Sequence, residues 1–207
     1  MGIVANWLFK RNLAKMDQLL TKGRENDMPW AMAADGETPA LPTVDRKVFE
    51  LFSGLAVHAK GNPEQSSQMI TTGMSIFSRY NTHGSNHGLR IVNQTADLAR
   101  GNPELTTQLI EQGTEWATIL GRNRNEPVRK ATHALTTNML TLAQDDAPEM
   151  LSGVIETAKG VVSNATSAAL PYKGEDVRLQ RITTLIEQMQ PTGSKAARSN
   201  KASAPSM

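Results

Sequence analysis

The chain has no cysteine, few aromatic residues and no long apolar run. Without a thiol it cannot form a disulfide scaffold, an iron–sulfur cluster, a cysteine-ligated zinc site or a cysteine nucleophile. Aromatic residues make up only 4% of the 207 positions, so aliphatic side chains and methionine must build the core. No stretch reaches the roughly 20 mostly apolar residues that a membrane-spanning helix needs, so no transmembrane segment is predicted.

The charges are nearly balanced, with 22 Lys and Arg against 20 Asp and Glu. A net charge of +2 does not demand a nucleic acid or an anionic membrane as partner. At the start of the chain, basic residues follow the first apolar run instead of preceding it, which is not the order of a cleavable secretory signal. We therefore expect a cytoplasmic protein. Export without a cleavable signal peptide stays open.

The most informative feature present is an internal repeat of 40 residues. The segment 59–64, AKGNPE, recurs at 99–104 as ARGNPE, and Gly73 then pairs with Gly113. A looser third copy, AQDDAPE, occupies 143–149. A period of this length is typical of stacked helical units.

The chemistry of the repeated segment predicts a helix end, a tight turn and a new helix. Gly101 can adopt the left-handed conformation that ends a helix, and Asn102 can cap the next one. Pro103 then occupies the first helical position, where its missing N–H costs nothing. Glu104 complements the positive end of the helix dipole. Apolar residues recur at helical spacing on both sides of each turn, so each repeat is predicted to be a helical hairpin.

The repeats resemble the HEAT and armadillo class of helical-hairpin arrays in architecture. The resemblance implies an all-α fold with about three antiparallel hairpins over 44–190 and a C-terminal capping helix near 176–190. A compact helical bundle fits the same pattern. Outside this domain we expect an amphipathic helix in 1–25, a proline-rich linker in 26–43 and a disordered basic tail in 191–207.

The densest basic cluster lies between the second and third hairpins. It contains Arg122, Arg124, Arg129 and Lys130. Arginine binds phosphate and carboxylate groups through paired hydrogen bonds, so these residues are candidates for contact with an acidic partner. A solvated loop is the plainer alternative. Aromatic residues are not interleaved with the cluster, which argues against a platform for single-stranded nucleic acid.

Two histidines have spacing that could hold a metal ion. His83 and His87 lie four positions apart, but Gly84 and Gly88 place them in a predicted loop, and no carboxylate lies within nine residues of either. Two ligands do not complete a zinc site. These residues are weak metal candidates, and we expect no metal and no cofactor.

The N-terminal helix carries an apolar stripe on one side and basic residues, including Arg11 and Lys15, on the other. Residues 3–24 could pack on the repeats, dock into a partner's groove or lie on a membrane surface. Trp30, in the predicted linker, is a further candidate for partner contact.

Known catalytic signatures are missing from the sequence. There is no Gly-x-Ser-x-Gly elbow, no phosphate-binding glycine loop and no dinucleotide fingerprint. We therefore expect a non-enzymatic protein–protein interaction module, such as an adaptor, a chaperone-like factor or a subunit of an assembly. One alternative is a translocated bacterial effector whose acid-free basic tail is an export signal. Another is an accessory protein that binds nucleic acid.

Overall fold

The computed structural model describes residues 3–25, 43–80, 87–123, 125–166 and 171–189, which contain eight α-helices and no strand. The predicted all-α fold is thereby confirmed. The helices are α1 (Ile3–Glu25), α2 (Thr43–Ala59), α3 (Pro63–Tyr80), α4 (His87–Ala99), α5 (Pro103–Leu120), α6 (Glu126–Asp146), α7 (Leu151–Thr166) and α8 (Glu175–Met189). A short 3-10 helix, Pro148–Met150, precedes α7. None of the helices described is long and apolar enough to cross a bilayer.

The helices pack in two layers. Helices α2, α4, α6 and α8 contact one another in succession, and so do α3, α5 and α7. Every substantial contact joins helices that are at most two positions apart along the chain. A single apolar core runs between the layers. Whether this arrangement belongs to the HEAT or armadillo class stays a prediction.

The two strong copies of the repeated segment form the predicted turn. Gly61 and Gly101 have φ angles of +84° and +76°, which glycine adopts without steric cost. The side-chain oxygen of Asn102 accepts a hydrogen bond from the Leu105 N–H at 3.1 Å. Asn62 makes the equivalent bond two helices earlier, also at 3.1 Å. The turns are therefore built by local chemistry, as the sequence predicts.

The repeated glycine of α3 and α5 marks a close approach between helices. A Cβ on Gly73 would lie 2.4 Å from Thr95 Cγ2 of α4 and 2.8 Å from Phe52 Cζ of α2. A Cβ on Gly113 would lie 2.6 Å from the sulfur of Met139 in α6. No larger residue fits at either crossing without a shift of its neighbours.

The third copy of the repeat departs from the first two. It has no glycine. Its turn leads into the 3-10 helix, whose first residue is preceded by Ala147 and has no side-chain cap. Its Asp146 instead binds the turn of the second repeat, accepting a 2.8 Å hydrogen bond from the Gly101 N–H. The two turns are therefore linked at the same edge of the molecule.

The N-terminal helix packs on the repeats. Phe9, Met16 and Leu20 are buried, and α1 contacts α2. The predicted capping helix is present as α8. Apart from Thr43, the linker predicted over 26–43 lies outside the described residues, as does the tail 191–207.

Candidate binding cleft between α4, α6 and α8

A cleft of about 280 Å³ opens where α4, α6 and α8 meet. Helical spacing places its lining residues one turn apart on each helix. They are Leu89 and Asn93 from α4, His133, Ala134, Thr137 and Asn138 from α6, and Arg178 and Arg181 from α8. The Asn138 amide donates to the Asn93 side-chain oxygen at 3.1 Å and so bridges two walls of the cleft.

The charge of the cleft is positive. Arg178 is half-buried and Arg181 is exposed, and among the described residues no acidic side chain lines the cleft with them. Within the described part of the chain, neither arginine forms an ion pair. Like charges three positions apart on a helix repel each other by a few tenths of a kcal/mol, roughly. An anion between the two guanidinium groups would relieve that repulsion.

Behind the cleft lies a buried cluster of four polar residues. The Arg129 Nε lies 3.1 Å from Glu175 Oε1, an ion pair whose angle is not that of an aligned hydrogen bond. The second oxygen of Glu175 accepts a 3.1 Å hydrogen bond from the Tyr172 N–H. The Tyr172 hydroxyl and His133 Nδ1 are hydrogen bonded at 2.9 Å, and His133 Nε2 lies 3.9 Å from Glu175 Oε1. The cluster joins the N-terminal half of α6 to the start of α8.

Burial determines the protonation of this cluster. Burial, together with the smaller effect of the Arg129 and Arg178 charges, lowers the pKa of His133 to about 4. Burial also raises the pKa of Tyr172 to about 12. At neutral pH both side chains are uncharged. Because the buried ion pair carries no net charge, the charge of the cleft comes from Arg178 and Arg181.

The cluster positions the arginines of the cleft. Glu175 is the first residue of α8, and Arg178 and Arg181 follow within two turns. Its carboxylate contacts both Arg129 and Tyr172, so the start of α8 is held against α6. A buried ion pair contributes little net stability, but breaking it leaves an uncompensated charge. This favours a role in fixing the geometry of α8.

The basic residues predicted from the sequence separate in the structure. Arg122 is exposed, and Arg124 lies outside the described residues. Arg129 is 4% exposed, because it lies on the inner side of α6 facing Glu175. As a surface contact for a partner it is therefore a wrong prediction. Lys130 is half-buried and forms an ion pair with Glu126 one turn earlier on α6.

The histidine pair is only half described. His83 lies outside the described residues. His87 begins α4 instead of lying in a loop, and its ring stacks on Phe49 with centroids 4.5 Å apart. Burial, followed by the charge of Arg90, lowers the pKa of His87. Within the described ranges no three His, Cys, Asp or Glu side chains are grouped closely enough to hold a metal ion.

The remaining candidates lie towards the two ends of the chain. Arg11 and Lys15 are exposed on α1, opposite its buried stripe. Trp30 and the tail 191–207 lie outside the described residues, so the hypotheses of export and of nucleic-acid binding that depend on the tail stay predictions.

Sequence reasoning missed most of the cleft. His133 and Glu175 belong to none of the sites predicted from the sequence. Glu175 begins α8, and its side chain is buried in the ion pair. The signal that could have been found is Arg178 and Arg181, three positions apart on a predicted helix with no acid one turn away from Arg181. Nothing local connects His133 with Tyr172.

Comparison with protein-family models, curated proteins and solved structures finds no match for this chain. Conclusions about function therefore depend on the geometry and charge of the cleft. It combines two guanidinium groups with two side-chain amides and the hydroxyl-bearing Thr137. This combination suits the recognition of an anion.

Proposed function

We propose that the protein is a non-enzymatic interaction module that binds a protein partner at the cleft, where Arg178 and Arg181 hold an acidic side chain of that partner. The observation that supports this proposal is that the two arginines, which lie beside Asn93 and Asn138, form no ion pair with any other described residue. Such a module would serve as an adaptor, a chaperone-like factor or a subunit of an assembly.

The chemistry of the lining favours a carboxylate. The planar guanidinium group donates two parallel hydrogen bonds to a carboxylate, and the amide of Asn138 is placed on the opposite wall. The cleft volume of about 280 Å³ lies just below the roughly 300–1,000 Å³ that is typical of pockets for drug-sized ligands. It suits one acidic side chain better than a large cofactor.

Protonation favours binding over catalysis. A general base works best with a pKa near the operating pH, whereas the pKa of His133 is about 4. Tyr172, with its pKa raised to about 12, is a weak acid. The two side chains are hydrogen bonded to each other. This supports the non-enzymatic part of the proposal.

A peptide array tests the proposal directly. The full-length chain is applied to an array of random peptides, and we expect the bound peptides to be enriched in Asp and Glu. The variant R178Q/R181Q is expected to lose this enrichment. The matched control R100Q/R122Q removes two exposed arginines elsewhere and is expected to keep it. Calorimetry with phosphate and succinate follows on the same proteins.

Three results would overturn the proposal. The first is an array without binding above background. The second is an enrichment that R178Q/R181Q retains, or that only R100Q/R122Q loses, because another surface would then bind the acid. The third is tight binding of phosphate or succinate without any peptide, because the cleft would then serve a small anion.

A further inference from the structure

The outer face of α1 combines exposed apolar and basic side chains. Trp7 is 57% exposed and Leu8 41% exposed, and they are neighbours along the chain. The other large apolar side chains exposed in the described structure, Val57, Ile119 and Val177, stand singly on three different helices. The opposite face of α1 packs in the core, where Phe9 and Met16 are buried. The exposed pair therefore lies outside the apolar core.

Basic residues surround this apolar pair. Lys10, Arg11 and Lys15 are all exposed on α1, and the Arg11 guanidinium lies 5.0 Å from the centre of the Trp7 ring. Trp7, Arg11 and Lys15 follow at intervals of four residues, so they form one ridge along the helix. We define Trp7, Leu8, Lys10, Arg11 and Lys15 as the outer ridge.

Negative charge is nearly missing from this part of the helix. Between residues 6 and 20 the one acidic residue is Asp17. It lies one turn from Leu13 and Leu20, at the edge that borders the buried face of α1. Its side chain is exposed, and partial burial of the carboxyl group raises its pKa. Within residues 6–20 of α1, the outer ridge therefore presents three positive charges against the single negative charge of Asp17.

We propose that the outer ridge binds the surface of an anionic membrane, with α1 lying parallel to the bilayer while its inner face stays packed on α2. Tryptophan prefers the interface between headgroups and acyl chains, because one end of its ring is apolar and the other donates a hydrogen bond. Lysine and arginine place apolar stems along the surface and their charges at lipid phosphates. The positive charge of the outer ridge complements anionic lipid.

The insertion of only Trp7 and Leu8 makes binding dependent on charge. Two apolar side chains give a weak and reversible anchor, and a polybasic surface supplies the second signal. Attraction to an anionic leaflet decays within a Debye length, so binding should weaken steeply with salt. Neutral vesicles should bind poorly. This inference is independent of the cleft, which lies between α4, α6 and α8 at the other end of the chain.

The test measures co-flotation of the full-length chain with vesicles of phosphatidylcholine containing 30% phosphatidylserine, and with phosphatidylcholine alone. We expect binding to the anionic vesicles at low salt. The variant K10Q/R11Q/K15Q should bind on the order of 100-fold more weakly, from three charges each contributing about fivefold. The matched control K60Q/R100Q/R122Q removes three exposed basic residues elsewhere and should bind like the parent. The cleft variant R178Q/R181Q should also bind normally.

Fluorescence then locates the contact. In a W30F/W116F background only Trp7 emits, and its spectrum should shift to the blue on anionic vesicles. Circular dichroism checks that every variant keeps its helices. The proposal is overturned by an absence of flotation, by equal losses in the basic variant and its control, or by flotation without a shift of Trp7.

Discussion

Arg129 of α6 and Glu175 of α8 form an ion pair with 3.1 Å between Nε and Oε1, and their side chains are 5% and 2% exposed. Two charges are thus withdrawn from water at the junction of two helices. Tyr172 joins the pair from the segment before α8, since its N–H donates to Glu175 and its ring lies 5.3 Å from the Arg129 guanidinium carbon. The ion pair therefore determines how α8 presents its arginines to the cleft.

Neutralising Glu175 should be costly. The variant E175Q removes the buried negative charge that lies 3.1 Å from Arg129 Nε, and we expect the free energy of unfolding to fall by about 3–5 kcal/mol. Chemical denaturation measures this loss. The control is E156Q, which removes an exposed ion pair with Lys159 and should cost less than about 0.5 kcal/mol. Similar losses in the two variants would show that the buried ion pair contributes no more to the free energy of unfolding than the exposed one.

The buried histidine should make the protein sensitive to acid. In the unfolded chain a histidine binds a proton near pH 6.5, whereas His133 in the fold does so only near pH 4. Protons therefore favour the unfolded state in this window. The contribution of His133 is complete above pH 6.5 and is lost as the pH falls towards 4, by about 3 kcal/mol in total.

Denaturation curves between pH 7 and 4 measure this effect. In H133Q the loss of stability on acidification should be smaller than in the parent by about 3 kcal/mol, since the substituted side chain does not titrate. The control H58Q removes an exposed histidine and should keep the parent's pH dependence. An unchanged slope in H133Q would contradict the prediction.

The repeated glycine should tolerate no side chain at the helix crossings. In G73A the new methyl group would collide with Thr95 and Phe52, so we expect a destabilisation of about 1–3 kcal/mol. G113A should cost less, because the sulfur of Met139 lies in a flexible side chain. Thermal and chemical denaturation measure both losses.

At an exposed glycine, substitution by alanine should change the stability in the opposite direction. A Cβ on Gly160 of α7 has no neighbour within 4 Å. G160A should therefore stabilise the protein by roughly 0.5–1 kcal/mol, through the better helix propensity of alanine. If G73A also stabilised the protein, that result would contradict the close contact of Gly73 with Thr95 and Phe52.

The helix caps should differ between repeats. N102A removes a side-chain oxygen that caps α5, and we expect a loss of about 1 kcal/mol. Asn125 precedes α6 without making such a bond. N125A should therefore change the stability by only a few tenths of a kcal/mol, roughly. Equal losses in the two variants would contradict the capping role of Asn102.

The sequence by itself determined the helices and their turns. The Gly101-Asn102-Pro103 turn was predictable because each step involves atoms that are neighbours along the chain: a glycine angle, a cap and a proline at the first turn. The apolar spacing of α1 likewise predicted which face is buried, and Phe9 and Met16 lie there.

Only the tertiary structure decided the site. His133 and Tyr172 lie 39 positions apart, and no local pattern connects them. Arg129 was grouped with the surface charges of its segment, because sequence spacing does not tell which side of α6 meets α8. Burial, desolvation and charge pairing depend on atoms brought together from distant segments. For that reason the repeat and its turns could be predicted, whereas the cleft and the buried ion pair could not.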